Sequence, residues 1–201
     1  MILYHGSPKA IETPLYGYGS KENDYGLGFY CTQSNDLAKE WACPTVQSGF
    51  SNKYELDMDG LRVLHLNSDG YHILNWIAIL LQNRIFAKRS PVARQANSYI
   101  LNEFLPDISG YDVVIGYRAD DPYFSYAKDF LNNTISVNQL SQAMKLGELG
   151  EQVVLKSEKH SSRFILRVTK SRMAAFIIPA VWPGKPEQER RICPITVLIF
   201  R

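Results

Sequence analysis

The fold of this chain is decided by two short segments, YHGS at residues 4–7 and LGFYCT at residues 27–32. Both segments are rich in apolar and aromatic residues, which predicts β-strands over residues 2–5 and 27–32. Gly6 and Pro8 are expected to end the first strand, because glycine frees the backbone and proline withdraws a hydrogen-bond donor. The two strands therefore deliver a polar aromatic side chain each, from separate parts of the chain.

A third segment, GEQVVL at residues 150–155, places Glu151 and Gln152 at the head of a late strand. Successive strand residues point to opposite faces, so only one of the two can enter a site shared with His5 and Tyr30. A carboxylate stabilises a cationic sugar better than an amide does, which favours Glu151 on chemical grounds. Gln152 stays open as the alternative.

The composition indicates one globular domain without a global charge preference. The chain has 201 residues, of which 45% are hydrophobic and 12% aromatic, enough to bury a sizeable core. A formal net charge of +2 gives no field that would draw the whole protein to nucleic acid or an anionic membrane. Arg84 and the neighbouring basic residues at 88, 89 and 94 are interpreted as a solvated basic face. Contact of this face with an anionic acceptor is the less favoured alternative.

The cysteines and the hydropathy pattern predict a cytoplasmic protein. Cys31, Cys43 and Cys193 show neither a CxxC spacing nor partner histidines, so neither a zinc site nor a disulfide framework is expected. The N-terminal residues lack the pattern of a secretory signal. The longest apolar run, residues 76–81, is too short to cross a bilayer.

Hydrophobic periodicity predicts the remaining elements. Apolar residues at helical spacing predict helices over residues 72–86 and 93–105, and helix-start signals predict helices over residues 36–42, 123–131 and 136–145. Apolar and β-branched runs predict strands over residues 52–57, 61–66, 111–116, 152–156 and 164–168. Asp59 and Gly60 lie between the first two of these strands and predict a β-hairpin. The Gly-rich and Tyr-rich segment 13–24 is predicted to be a loop that can close over a ligand.

A histidine, a tyrosine and a strand-head acid or amide suit the cleavage of NAD. Breaking the bond between nicotinamide and ribose passes through an oxocarbenium-like state, so negative charge must lie beside the developing cation. A histidine can hydrogen-bond a ribose hydroxyl, and a tyrosine ring can stack on nicotinamide. The three segments together therefore indicate an ADP-ribosyltransferase.

The same segments resemble a bacterial family of the DUF3990 type, allied to the ADP-ribosyltransferases. The resemblance covers residues 1–168 and rests on LYHGS at 3–7, DYGLGFYCT at 24–32, AKEWA at 38–42, Trp76, Asn83-Arg84, YDVVIG at 111–116 and EQVVLKSEK at 151–159. It implies an α+β fold in which two small, mostly antiparallel sheets form a split β core around an NAD cleft, with helices outside. Residues 169–201 would form a C-terminal tail of unassigned role.

The resemblance also implies site residues. It places a catalytic triad of the diphtheria-toxin type on His5, Tyr30 and either Gln152 or Glu151, with the family position favouring Gln152. His5 would anchor the adenosine-side ribose, and Tyr30 would stack on the nicotinamide. The NAD-binding residues would be His5, Gly6, Ser7, Gly28, Tyr30 and Thr32.

The implied activity is transfer of ADP-ribose from NAD to a macromolecular acceptor, protein or nucleic acid, with release of nicotinamide and without a metal. The alternative is a catalytically weak module on the same fold that binds NAD, ADP-ribose or a protein, which an amide at position 152 would favour. A third reading, RNA end processing by a related NAD-dependent phosphotransferase, requires more cleft arginines than the sequence offers. The acceptor and the oligomeric state stay open.

Overall fold

The computed structural model describes residues 1–43, 49–86, 91–119, 123–146, 150–157 and 164–165. These residues form a mixed α+β structure, as the sequence predicts. Its strands are β1 (Ile2–Ser7), β2 (Phe29–Thr32), β3 (Phe50–Leu56), β4 (Val63–His65), β5 (Val113–Tyr117), β6 (Glu151–Leu155) and β7 (Phe164–Ile165). Its helices are α1 (Asn35–Ala42), α2 (Ile73–Asn83), α3 (Pro91–Phe104), α4 (Tyr123–Leu131) and α5 (Val137–Leu146). The predicted tail, residues 169–201, lies outside the described residues.

The described strands form a single sheet in the order β4-β5-β6-β2-β1-β3-β7. The pairing of β4 with β5 is parallel, and the other neighbouring strands are antiparallel. The mostly antiparallel character therefore agrees with the prediction. The division into two separate small sheets differs from the structure, because β1 pairs with β2 on one side and with β3 on the other.

The join between β1 and β2 is nevertheless narrow. In the described residues these strands pair at Tyr4 and Thr32 alone, whereas β1 pairs with β3 along its full length from Ile2 to Ser7. The sheet thus consists of two well-paired halves, β4-β5-β6-β2 and β1-β3-β7, that touch at one register position. The gap beside that position is where the candidate site lies.

Two strand predictions were wrong. The strands predicted at residues 52–57 and 61–66 do not pair as a hairpin, since β3 lies between β1 and β7 while β4 pairs in parallel with β5. The first strand also does not end at Gly6. It continues to Ser7, because Gly6 and Ser7 pair with Ser51 and Phe50 of β3.

The core lies on both faces of the sheet. One cluster is centred on α2, whose Trp76, Ile77, Ile79 and Leu80 are buried, as the helical repeat of apolar residues requires. A second, smaller cluster contains Leu3, Phe29 and Tyr54 with other strand residues. None of the described helices has both the length and the apolar content needed to cross a membrane.

Helix α1 is brought against β1 by a side-chain cap and a glycine. Ser34 Oγ accepts a hydrogen bond from the backbone N–H of Leu37 at 3.2 Å and so begins the helix. At Gly6 the helix backbone comes so close that an added Cβ would lie 2.0 Å from the carbonyl oxygen of Ala38. This close packing brings Trp41 to the edge of the gap between β1 and β2.

Candidate functional site

A cavity of about 520 Å³ opens beside the junction of β1 and β2. This volume is typical of cavities that bind small molecules and cofactors. The lining residues come from the strands and the segments that flank them, from the predicted loop, and from the ends of α1 and α2: His5, Gly6, Ile11, Gly28, Phe29, Tyr30 and Gln152; Thr13, Leu15, Tyr18, Gly19, Asn23 and Asp24; and Trp41 and Arg84. Loop 13–24 therefore forms a wall of the cavity.

His5 bridges the two strands where their ladder stops. Its Nδ1 lies 2.6 Å from the carbonyl oxygen of Tyr30, which can only accept, so Nδ1 carries the proton and donates. Burial lowers the pKa of the imidazole below its usual 6.5, and the hydrogen bond to Tyr30 opposes this less strongly. The ring is therefore neutral at pH 7, and Nε2 keeps a lone pair that can accept a hydrogen bond from a ligand hydroxyl.

The hydroxyl of Tyr30 is hydrogen-bonded inside the protein. It donates to the carbonyl of Gly26 at 2.6 Å and accepts from the backbone N–H of Tyr25 at 3.1 Å. Burial is the main cause that raises the pKa of this phenol far above its usual value of 10.0. Tyr30 is therefore suited to contact a ligand through its ring rather than to exchange a proton at neutral pH.

The turn at residues 25–27 holds that hydroxyl in place. Gly26 has a φ of +72°, a left-handed conformation that glycine adopts without strain, and this directs its carbonyl to Tyr30. Lys156 Nζ donates to the carbonyls of Tyr25 and Leu27 at 2.6 and 2.9 Å. The lysine thus holds the carbonyls of the residues on either side of Gly26.

The pair Glu151 and Gln152 divides between the two faces of the sheet. Gln152 is buried, pairs in the ladder with Thr32, and lines the cavity together with His5 and Tyr30. Glu151 is not among the cavity-lining residues, and its Oε1 accepts from Asn67 Nδ2 at 2.7 Å. The amide, and not the carboxylate, is therefore the strand-head group in the cavity.

Asp24, the last residue of loop 13–24, contacts Gln152. It is only 4% exposed, and its Oδ2 accepts from Gln152 Nε2 at 2.6 Å and from the backbone N–H of Ala119 at 2.9 Å. Because a carboxylate only accepts, the nearby atom of Gln152 is its amide nitrogen, and Oε1 is left for another donor. The cavity thus contains a carboxylate that the sequence analysis did not single out.

Arg84 completes this network at the end of α2. Its Nε lies 2.6 Å from Oδ1 of Asp24 as an ion pair, and its guanidinium carbon lies 4.7 Å from the ring centroid of Phe124. Arg84 also lines the cavity, where its charge can meet an anionic group of a ligand. The structure thus differs at Arg84 from the solvated basic face that the sequence pattern predicts.

The other predicted NAD-binding residues separate into two groups. Gly6 and Gly28 line the cavity, although both are also required by packing: a Cβ at Gly28 would lie 2.6 Å from Val154 Cγ1. Ser7 and Thr32 do not line it. Ser7 Oγ donates to the carbonyl of Lys9, and Thr32 Oγ1 accepts from the backbone N–H of Ser34 at 3.1 Å.

The comparisons with known proteins give one family. The model of a family described as "Protein of unknown function (DUF3990)" matches residues 1–164 of the chain. No curated protein and no solved structure matches the sequence. The match contains every residue of the cavity described above.

Proposed function

The chain belongs to the DUF3990 family of proteins of unknown function, and from its cavity we propose that it transfers ADP-ribose from NAD to a macromolecular acceptor. In this reaction the bond between ribose C1′ and the nicotinamide nitrogen breaks, and its electron pair neutralises the pyridinium ring. The acceptor nucleophile then bonds to C1′ while its proton leaves to solvent. Nicotinamide is the released product.

The observation that carries the proposal is that His5, Tyr30 and Gln152, which come from three distant segments, line one cavity of ligand size. Each side chain has a group that suits NAD. His5 Nε2 can accept from the adenosine-side ribose, and the ring of Tyr30 can stack on nicotinamide. Gln152 Oε1 can accept from the hydroxyl of the reacting ribose.

Two further features support the proposal. Arg84 brings a guanidinium to the cavity, and guanidinium groups bind phosphate oxygens with good geometry, so it suits the pyrophosphate of NAD. The narrow join between β4-β5-β6-β2 and β1-β3-β7 lies beside the cavity, as expected for a cleft between two halves of a split core. We therefore extend the proposal to an ADP-ribosyltransferase-like split core.

A second candidate function is a binding module that holds NAD or ADP-ribose without turnover. The presence of an amide, Gln152, at the strand head in the cavity favours this candidate, because an amide stabilises a cationic sugar only through its dipole. The two candidates share the same binding residues. They differ in whether the glycosidic bond of NAD is cleaved.

The test is incubation of the protein with NAD labelled in the adenylate part, in the presence of a cell lysate. Transfer predicts label on protein or nucleic acid together with free nicotinamide. Free nicotinamide without labelled macromolecules would mean hydrolysis, and NAD binding by calorimetry without either product would mean the binding module. Absence of binding and of products would reject both candidates.

The variants for this test follow from the cavity. His5→Asn is expected to reduce the label at NAD concentrations below saturation, because asparagine offers no acceptor at the position of Nε2. Glu151→Gln is expected to keep it, since Glu151 contacts Asn67 and does not line the cavity. Loss of label in Glu151→Gln, with retention in Gln152→Leu, would reverse the assignment of the strand-head residue.

A further inference from the structure

Asp24 is placed to supply the negative charge that Gln152 lacks. Its carboxylate is almost fully buried, yet it lines the cavity and lies 2.6 Å from the amide nitrogen of Gln152. We propose that Asp24 acts through Gln152 as the positioning residue of the site, so that the two together replace a single strand-head carboxylate. This inference rests on the proposed function.

The hydrogen bond between Gln152 and Asp24 explains how the charge of Asp24 can act on the ribose. Gln152 Nε2 donates to the carboxylate, which polarises the amide and makes Oε1 a stronger acceptor for the ribose hydroxyl. The amide is also locked in one orientation, since the reversed orientation would place two acceptor oxygens 2.6 Å apart. Asp24 therefore sets both the acceptor strength and the orientation of Gln152 Oε1, the atom that would contact the ribose.

Two neighbouring groups hold the carboxylate of Asp24 in place at the cavity. The backbone N–H of Ala119 holds Oδ2, and Arg84 Nε lies against Oδ1. Arg84 lines the cavity too, and a ligand pyrophosphate would compete with Asp24 for its guanidinium. Pyrophosphate bound to Arg84 leaves the charge of Asp24 less neutralised, at the moment when a cation develops on the ribose.

An exchange of the two side chains tests this inference. Asp24→Asn removes the charge, and Asp24→Asn with Gln152→Glu restores a carboxylate to the pair, now at position 152 on the strand head. Asp24→Asn is expected to lower kcat for nicotinamide release on the order of 10²-fold, with KM for NAD changed less. The double variant is expected to recover at least about tenfold of that loss, corresponding to about 1.4 kcal/mol.

Two more variants keep the test decisive if Asp24→Asn folds poorly. Gln152→Leu keeps the carboxylate of Asp24 but removes the amide that it polarises, and a similar fall in kcat is expected. Asp36→Asn makes the same chemical change at an exposed residue of α1 and is expected to leave kcat unchanged. Folding of each variant is checked by circular dichroism and thermal unfolding.

The outcomes separate this inference from the proposed function. Wild-type turnover that survives Asp24→Asn or Gln152→Leu would overturn the inference and leave the proposed function intact. A folded double variant without recovery would also overturn it, because a strand-head carboxylate would then be present without effect. Absence of turnover in the wild-type protein would overturn the proposed function together with the inference.

Discussion

The Nδ1 atom of His5 lies 2.6 Å from the carbonyl oxygen of Tyr30, beside the single register position at which β1 and β2 pair. The side chain of His5 thus links the two strands where their backbone pairing stops. The same imidazole also lines the cavity. We therefore expect its two nitrogens to have different roles: Nδ1 would hold the strands together, and Nε2 would contact the ligand.

These two roles can be separated by substitution. His5→Asn places an amide N–H near the position of Nδ1, so the bond to Tyr30 is kept and the acceptor at Nε2 is lost. We expect NAD affinity, measured by calorimetry, to fall about tenfold, which corresponds to the loss of one hydrogen bond of about 1.4 kcal/mol. The free energy of unfolding should change little.

His5→Ala is the matched variant, because it removes both nitrogens. The carbonyl of Tyr30 then loses its partner, and we expect the free energy of unfolding to fall by about 1–3 kcal/mol in urea titrations. Equal stability of the alanine and asparagine variants would show that Nδ1 does not hold the strands together.

The stability of the protein should depend on pH through His5. Burial lowers the pKa of its folded form below 6.5, whereas the unfolded chain titrates near 6.5. As the pH falls below that value the unfolded state takes up more protons, so the free energy of unfolding decreases until the folded pKa is reached. Between about pH 7.5 and about pH 5.5, the wild-type protein should therefore lose more stability than His5→Asn.

Local signals in the sequence predicted the helices better than the strand pairing. The repeat of apolar residues around Trp76 identifies α2, because helical periodicity is a property of the segment itself. The Asp59-Gly60 turn signal failed, since it cannot report that β3 is already paired on both sides and that β4 pairs with β5. Strand partners are decided by the whole sheet.

In the candidate site, too, residues in local motifs could be predicted and residues defined by distant contacts could not. His5 and Tyr30 stand out in compact motifs, and both line the cavity. Asp24 could not be singled out, because its contacts are with Gln152 and Ala119, 128 and 95 residues away. A signal was present, since Asp24 immediately precedes the YGLGFY segment at residues 25–30, but its meaning depends on the folded structure.

The ring and the hydroxyl of Tyr30 are expected to contribute differently. Tyr30→Phe keeps the ring but leaves the N–H of Tyr25 and the carbonyl of Gly26 without their partner, so the free energy of unfolding should fall by about 1–3 kcal/mol. NAD affinity per folded molecule should be kept. Tyr30→Leu removes the ring, and affinity should fall by up to about tenfold. An equal loss of affinity in both variants would assign NAD contact to the hydroxyl.

Gly6 allows the packing of α1 to be tested against a matched glycine. A Cβ at Gly6 would lie 2.0 Å from the carbonyl oxygen of Ala38, and this backbone atom cannot move without shifting the helix. We expect Gly6→Ala to lower the free energy of unfolding by about 1–3 kcal/mol or more. At Gly70 the added Cβ meets nothing within 4 Å, so Gly70→Ala should stay within about 0.5 kcal/mol of the wild type.

The same pair of variants tests why position 6 is a glycine. If helix packing is the reason, folded Gly6→Ala should bind NAD as the wild-type protein does, because its methyl group points at α1. If close approach of the backbone to nicotinamide is the reason, affinity should fall even at temperatures where the variant is fully folded. Since the atoms nearest to the added Cβ belong to Ala38, Trp41 and Ala42, we expect the first result. Calorimetry on variants whose folded fraction has been measured distinguishes the two.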